Sequence, residues 1–299
     1  MKKHLKSTLA ILLAVVLIAV AVPFGAFART VETAPVTFGV MSDTHYYPRS
    51  LMPADDDEQG WETFNEFCRV KGKQFPQTGG LIDAALAAMA QDVKEKGLKY
   101  VLIPGDLTKD SETEAHKGIA AKLEQFEKDT GAQVLVINGN HDINNYDAAS
   151  FTSGKEVKDK SLVTSPEQFK EIYQNLGYDL AEKDGSLYTP PKGKEANGLS
   201  YAVSLEGGYR LIAMDGGKYS PDNMDPNHSG GHETGGNYSD DFLEWVLDQC
   251  AQARAKGETV IGLTHFSLVP HMWLEATIAQ DFCLDHYQNV AEALADAGM

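Results

Sequence analysis

Three short apolar runs that each end abruptly in polar residues are the feature that most constrains how this chain folds. Val36–Met41 leads into Ser-Asp-Thr-His, Tyr100–Pro104 into Gly-Asp-Leu-Thr, and Val134–Asn138 into Gly-Asn-His-Asp. Apolar runs of this length are typical of buried strands. Between them, residues 81–96 and 112–128 carry apolar residues at helical spacing. The alternation predicts an α/β fold, with polar residues at the carboxyl ends of its strands.

The second half of the chain adds a further group of predicted elements. Alternating runs that begin at Leu199 and Tyr209, joined by Glu-Gly-Gly, predict a hairpin. The sequence further predicts a helix over 166–176 with Ser165 as its N-cap, a helix over 240–256, a strand from Thr259 that ends in His265, and a helix over 287–297.

The domain organisation follows from length and from these elements. A chain of 299 residues can bury one large core or two modest ones. We predict one domain over residues 29–299, with insertions at 46–79 and 143–198.

The N-terminus is typical of a secretory signal peptide. Lys2, Lys3 and Lys6 precede an apolar run over 9–22, and Ala-Phe-Ala at 26–28 gives a cleavage site after residue 28. An uncleaved membrane anchor is the alternative, although the apolar run is short for a span. We therefore expect a secreted or extracytoplasmic protein without stable membrane association after cleavage.

The charge of the mature chain argues against nucleic acid as a partner. Removing the three lysines leaves 23 basic residues against 43 acidic ones, a net charge of about −20. Binding to phosphate backbones needs clustered Lys and Arg. Cys68, Cys250 and Cys283 are too few for a disulfide framework, and one disulfide with one free thiol is compatible with the sequence.

The polar residues at the strand ends form a candidate metal site. The strands deliver carboxylates, imidazoles and one amide, namely Asp43, His45, Asp106, Asn140, His141, Asp142 and His265. Oxygen donors mixed with imidazole suit Mn²⁺, Fe or Zn²⁺ better than Ca²⁺. For Asp43 or His45 taken alone, a turn or a helix cap is the simpler explanation. Taken together, order and spacing favour the metal site.

These residues resemble the calcineurin-like metallophosphoesterases. That family carries Asp-x-His, Gly-Asp, Gly-Asn-His-Asp or -Glu, a lone His, and Gly-His-x-His; here "DTH", "GDL", "GNHD" and "GLTH" follow in the same order. The resemblance implies a four-layer α/β/β/α sandwich and two divalent or transition metal ions (Mn, Fe or Zn). It also implies that a metal-bridging hydroxide attacks a phosphomonoester or phosphodiester.

The resemblance also implies a role for each matched residue. Asp43 and His45 would hold the first metal, Asp106 would bridge both, and Asn140 and His265 would hold the second. His141 would face the phosphate and act as acid towards the leaving group or stabilise its charge, and Asp142 would orient His141.

The chain departs from the family in lacking Gly-His-x-His. We expect that motif beyond Met299, in a C-terminal part missing here, so that this chain alone would be weakly active. His228, His232 and His271 are the candidate substitutes for the missing ligands, and His271 is also a rival of His265. In "GGHETGG", His232 is a candidate substrate contact on a flap, with a plain surface loop as the alternative.

The expected partner is a small phosphate ester, with a nucleotide as one candidate. "GDL" together with "GNHD" favours the phosphodiesterase branch, because a purple acid phosphatase would carry Tyr where this chain has Lys109. Asp215 is expected to be structural, and Asp55, Asp56 and Asp57 to lie in a solvated loop. The alternative function is a non-catalytic, metal-stabilised surface or binding protein that retains the fold.

Overall fold

The parts of the chain that carry the sheets and the strand-end motifs are described in a computed structural model. It describes residues 34–184, 186–224, 234–278 and 282–299. The predicted signal peptide, His228 and His232 lie outside the described residues.

Strands and helices occur in the order that the sequence predicts, with additional elements in the two insertions and one additional short helix after the last strand. The strands are β1 Phe38–Val40, β2 Tyr100–Ile103, β3 Gln133–Val136, β4 Ala149–Ser150, β5 Val157–Lys158, β6 Tyr201–Leu205, β7 Tyr209–Ala213 and β8 Thr259–Leu263. The α-helices are α1 Glu58–Lys71, α2 Thr78–Lys96, α3 Thr113–Thr130, α4 Pro166–Ile172, α5 Asp179–Asp184, α6 Asp240–Lys256, α7 Trp273–Thr277 and α8 Tyr287–Asp296.

Two three-stranded sheets form the centre of the fold. In the first sheet, β1, β2 and β3 are parallel and lie in that order, so their carboxyl ends meet at one edge. In the second sheet, β6 and β7 form the predicted antiparallel hairpin, and β8 pairs parallel to β7. A third, two-stranded sheet joins β4 to β5.

The alternation of side chains along β6 and β7 shows that the two larger sheets are stacked between helices. Tyr201 and Leu211 pack into the core that contains β2, β3 and helices α2 and α3. Their neighbours Ala202 and Ile212 pack into a second core with residues of α6 and α8. Because successive strand residues face opposite sides, these contacts define the four layers helix, sheet, sheet and helix. The predicted α/β/β/α sandwich is confirmed.

The helix predicted over 166–176 is shorter than expected. Ser165 caps its start in a capping box with Gln168, as expected, but α4 ends at Ile172. The chain then kinks at Leu176 and at Gly177, whose φ is 119°. A Cβ at Gly177 would lie 2.4 Å from the Tyr201 hydroxyl oxygen. The glycine therefore lets the chain turn against β6, and helical spacing in the sequence does not reveal this contact.

The two predicted insertions pack against each other. Phe64 and Phe75 from the first insertion are buried with Phe151 from the second, and the Phe64 and Phe151 ring centroids lie 4.6 Å apart. The Tyr47 hydroxyl donates to the carbonyl of Ala149 at 2.7 Å. The first insertion also contains α1, which the sequence analysis did not predict. Asp57 caps this helix by accepting from the Gly60 amide, and so is not simply a residue of a solvated loop.

Two further observations concern the cysteines and the membrane. Cys68, Cys250 and Cys283 are all buried and free, so the structure contains no disulfide between them. Within the described ranges, no helix is both long and apolar enough to cross a membrane.

Glu127 on α3 makes the stability of the fold depend on pH. Its carboxylate accepts from the Val134 amide on β3, and burial raises its pKa to about 7. Since this folded-state pKa lies above the ordinary glutamate value of 4.5, ionisation costs the folded state stability as pH rises through that window. Glu127→Gln keeps a carbonyl acceptor and should raise the melting temperature more at pH 8 than at pH 4.5. Glu244→Gln, at an exposed position of α6, is the control; an equal shift at both pH values for Glu127→Gln would contradict the prediction.

Candidate metal centre

The turns after β1 and β2 hold the first group of predicted site residues. The Asp43 amide donates to the Gly105 carbonyl at 3.2 Å, and the His45 amide donates to the Asp106 carbonyl at 3.0 Å. Asp43, His45 and Asp106 all have positive φ, at 55°, 40° and 50°. Non-glycine residues adopt this region at a cost of about 1–3 kcal/mol each, and such residues cluster at functional sites. The parallel strands thus end in turns that are strained at the candidate ligands.

Gly105 and Gly139 allow the turns after β2 and β3 to touch. A Cβ at Gly105 would lie 2.4 Å from the Gly139 nitrogen, and a Cβ at Gly139 would lie 2.3 Å from Asp106 Oδ1. The His141 amide then donates to Asp106 Oδ1 at 2.9 Å. Any larger residue at position 139 would displace the Asp106 carboxylate, so the glycine of "GNHD" positions a carboxylate from the neighbouring strand.

Asp106 belongs to two groups of potential metal ligands. Its carboxylate lies with Asp43 and His265 in one group and with His45 and His141 in the other, and within each group the ligand atoms are within 4.8 Å of one another. Asn140 adjoins the first group, because its Oδ1 lies 3.0 Å from His265 Nε2. The structure therefore brings together all five residues predicted to bind metal.

The acceptors around His265 fit a cation. Its Nδ1 lies 2.9 Å from the Pro104 carbonyl, which can only accept, so Nδ1 carries the hydrogen. Nε2 is then the ring nitrogen that faces Asn140 Oδ1 and, at 3.5 Å, Asp106 Oδ1. An imidazole nitrogen together with two oxygen donors suits a transition metal.

His45 has the ionisation state that a metal ligand needs, and the Asp106 carboxylate is buried with little positive charge beside it. Burial, with the nearby charges of Lys73 and His141, lowers the pKa of His45 to about 4, so the ring is neutral at physiological pH. Burial raises the pKa of Asp106, against the opposing effect of His265 and His141. Among the described residues, the side chains within ion-pair distance of the Asp106 carboxylate are two imidazoles, His45 at 3.7 Å and His265 at 3.5 Å, and no Lys or Arg. A buried carboxylate without a strong cation is the environment that bound metal relieves.

His141 is oriented by the loop after β2. Its Nδ1 donates to the Lys109 carbonyl and to Asp110 Oδ1, both at 2.8 Å. Asp110 also accepts from Asn145 at 3.0 Å and pairs with the buried Lys109 ammonium. Burial alone would lower the pKa of His141, but the hydrogen bond to Asp110 and the charges of Asp106 and Asp110 raise it overall.

Asp142 has a different role from the predicted one. Its carboxylate accepts from the amides of Gly139 at 2.8 Å, Thr108 at 3.1 Å and Leu107 at 3.2 Å. These bonds tie the turn after β3 to the turn after β2, whereas Asp110 makes the hydrogen bond to the His141 ring. The prediction that Asp142 orients His141 is wrong in this structure, because the Asp142 side chain is turned towards backbone amides.

Comparison with known proteins places this geometry in a family. A family model for calcineurin-like phosphoesterases matches residues 36–290. The chain belongs to this family. Members of the calcineurin-like phosphoesterase family are dimetal-dependent hydrolases, in agreement with the two ligand groups that share Asp106.

One solved structure shares the fold at low sequence identity. The crystal structure of a dimetal phosphatase from Danio rerio is 12% identical, with a TM-score of 0.51, and the similarity covers 87% of this chain and 77% of that one. At this identity the likeness shows the fold alone. No curated protein matches this chain.

The remaining sequence candidates lie away from the family's metal centre or outside the described residues. His271 is bound to Glu275, with Nδ1 2.9 Å from the carboxylate, and only His265 of these two rivals reaches Asp106. Asp215 is buried and accepts from Asn138 and Tyr219, consistent with its predicted structural role. A Gly-His-x-His motif beyond Met299 stays a prediction, as does a substrate contact by His232.

Sequence reasoning missed two residues that contact the site. Asp110 lies four residues after Asp106 in the same loop, so proximity in the sequence could have indicated it. Lys73 places its ammonium nitrogen 2.7 Å from His45 Nε2. It arrives from the first insertion, and no pattern in the sequence connects it to the strand ends.

The different contacts of Asp142 and Asp110 predict different consequences of removing each charge. Asp142→Asn would turn an amide NH₂ towards two backbone N–H donors, and should lower the free energy of unfolding by roughly 2–3 kcal/mol. Asp110→Asn leaves Lys109 paired with Glu112 and should mainly reduce turnover. Urea denaturation and steady-state kinetics of both variants test this. A smaller loss of stability for Asp142→Asn than for Asp110→Asn would contradict the assignment.

Proposed function

We propose that this chain is an exported phosphoesterase that hydrolyses small phosphate mono- or diesters with two bound metal ions. The observation that carries the proposal is the carboxylate of Asp106, shared by two groups of ligand atoms beside the His141 ring. Family membership supports a hydrolase of this class.

The chain's own residues would hold the two ions, with Asp106 contributing to both. Following the resemblance, Asp43 and His45 would serve one ion, and Asn140 and His265 the other; in this structure the Asp43 carboxylate lies in the group with His265 rather than with His45. When bound, the ions supply Lewis acidity at phosphoryl oxygens and an activated water as nucleophile. Mn²⁺, Fe and Zn²⁺ all suit this mixture of carboxylate, amide and imidazole donors.

His141 is the candidate proton donor. The Lys109 carbonyl and Asp110 Oδ1 fix the hydrogen on Nδ1, so the second ring nitrogen, Nε2, is the atom that can exchange a proton with a leaving group. The raised pKa of His141 favours a protonated ring near neutral pH. An imidazolium in this position would donate a proton to the departing oxygen, a contribution of about 10²–10⁴ in rate.

Hydrolysis of aryl phosphates by the metal-loaded protein tests the function. We expect Mn²⁺-dependent hydrolysis of p-nitrophenyl phosphate or bis(p-nitrophenyl) phosphate. His141→Ala should retain bound metal and lose about 100-fold or more in kcat. Asp106→Asn, which keeps the shape of the side chain, should lose both metals.

Metal content measured on the same samples separates the outcomes. A metal-loaded wild-type protein that hydrolyses neither ester would overturn the proposal and favour the non-catalytic binding protein. Loss of metal from His141→Ala would instead contradict the role of His141 as proton donor.

Export is proposed from the N-terminal sequence. The basic start, apolar run and Ala-Phe-Ala triplet over residues 2–28 support it. Expression of the protein in a secreting bacterial host should yield a mature chain that starts at Arg29. N-terminal sequencing of that product would refute cleavage if it found the apolar run still attached.

A further inference from the structure

A lysine-containing cleft borders the candidate metal centre on the side of His45 and His141. The cleft has a volume of about 140 Å³ and is lined by both imidazoles and by Lys71, Lys73 and Lys158. Its wall comes from the two insertions, which share the buried aromatic core described above. The wall of the cleft is therefore supported by packed side chains that do not take part in metal binding.

The lysines of the cleft differ in how their charge is balanced. Lys158 pairs with Asp147 at 2.6 Å, and the buried Lys109 pairs with Asp110 and Glu112. In the described part of the chain, neither Lys71 nor Lys73 has a carboxylate within 4 Å.

Lys71 and Lys73 lie near an aromatic ring, an imidazole and one exposed carboxylate. The Lys71 ammonium lies 5.8 Å from the Phe67 ring centroid, and Lys73 is bound to His45. Glu156, exposed, is the one lining carboxylate that adds negative charge without an ion pair among the described residues. Two positive charges without carboxylate partners, in a chain of net charge −17, make this cleft a local site for an anion.

The contact of Lys73 with His45 indicates how that charge becomes available. An ammonium can only donate, so His45 Nε2 accepts from Lys73 at 2.7 Å through its lone pair. A metal ligand needs the same lone pair. If His45 binds metal through Nε2, the Lys73 ammonium must leave that nitrogen, and it remains on a side chain that lines the cleft.

We propose that Lys73, assisted by Lys71, binds a second anionic group on the leaving group of the substrate. This inference rests on the proposed phosphoesterase function and deepens it by naming a substrate class. The substrate would be a phosphate ester whose leaving group itself carries a phosphate or a carboxylate. A hydrogen bond from a lysine to such a group is charge-assisted and stronger than a neutral one.

The position of His141 indicates that the leaving group of the substrate would enter this cleft. As the candidate proton donor, His141 faces the departing oxygen, and its ring also lines the lysine cleft. The cavity on the Asn140 side, about 210 Å³, is different in character. Its lysine, Lys218, already pairs with Asp285 at 2.9 Å, and its wall includes Met224 and Pro221. An anionic leaving group is therefore better matched by the cleft beside His141.

Binding of three small phosphonates to the manganese-loaded protein tests the proposal without relying on turnover. Propylphosphonate carries one anionic group, whereas 3-phosphonopropionate and propane-1,3-diphosphonate add a carboxylate or a second phosphonate. By calorimetry, at least one of the two-anion probes should bind about tenfold more tightly than propylphosphonate. The larger gain identifies which anion the cleft prefers.

Matched variants connect that gain to the cleft. Lys73→Gln should bring the affinity ratio between two-anion and one-anion probes close to one, and Lys71→Gln should reduce it in part. Lys256→Gln, an exposed position at the end of α6, should leave the ratio unchanged. Because each ratio is measured within one protein sample, a change in metal content of a variant does not imitate the effect.

The outcomes separate this proposal from the proposed function. A ratio near one in the wild type, no binding of any probe, or an unchanged ratio in the Lys71→Gln, Lys73→Gln double variant would overturn the subsite. A Lys73-dependent ratio in a metal-loaded protein that hydrolyses no ester would support the anion subsite and overturn the phosphoesterase function.

Discussion

The close approach of the turn at Gly105 to the turn at Gly139 is the constraint on which the candidate metal centre depends. Adjacent parallel strands bring the two turns to the same edge, but only the missing side chains let their backbones touch. The two carboxylates in these turns then have different roles. Asp142 is buried against three backbone amides and holds the turns together, which leaves Asp106 to face the imidazoles from both sheets. A carboxylate that is satisfied by amides costs little to bury, whereas one with a single amide donor among the described residues, beside imidazoles, is placed to bind a cation.

The same constraint explains why strain and unsatisfied groups concentrate here. Asp43, His45 and Asp106 adopt left-handed backbone conformations, and the buried Nδ1 of His45 has no hydrogen-bond partner among the described residues. Each feature costs stability that the two cores must supply. Such costs are expected where ligand atoms have to be held in place before the ion or the substrate arrives.

The sequence predicted the parts of this arrangement that depend on strand ends, because a parallel sheet converts order in the chain into proximity in space. Asp43, Asp106, Asn140 and His265 could be assigned in this way. The role of Asp142 could not, because a sequence does not reveal towards which group a carboxylate turns. Asp110 and Lys73 were missed for a related reason: their positions depend on loop conformation and on a small aromatic core built from two separate insertions. Helix α1 was missed because its buried face carries few apolar residues: over 14 positions, the buried ones are Gly60, Phe64 and Cys68.

Residues at the sheet edge and residues from the insertions have different roles in the molecule. Residues at the sheet edge determine the type of reaction, since they set the donor atoms and the position of His141. Residues from the insertions line the clefts on either side, and under the proposed function they would contact what is attached to the reacting phosphate. Phe151 packs on Phe64, close to the strand β5 whose Lys158 lines the lysine cleft, so a change in the aromatic core would move the cleft wall without moving Asp106. Substrate preference in this chain can therefore vary through the insertions while the metal centre stays the same, and family membership defines the reaction more closely than the substrate.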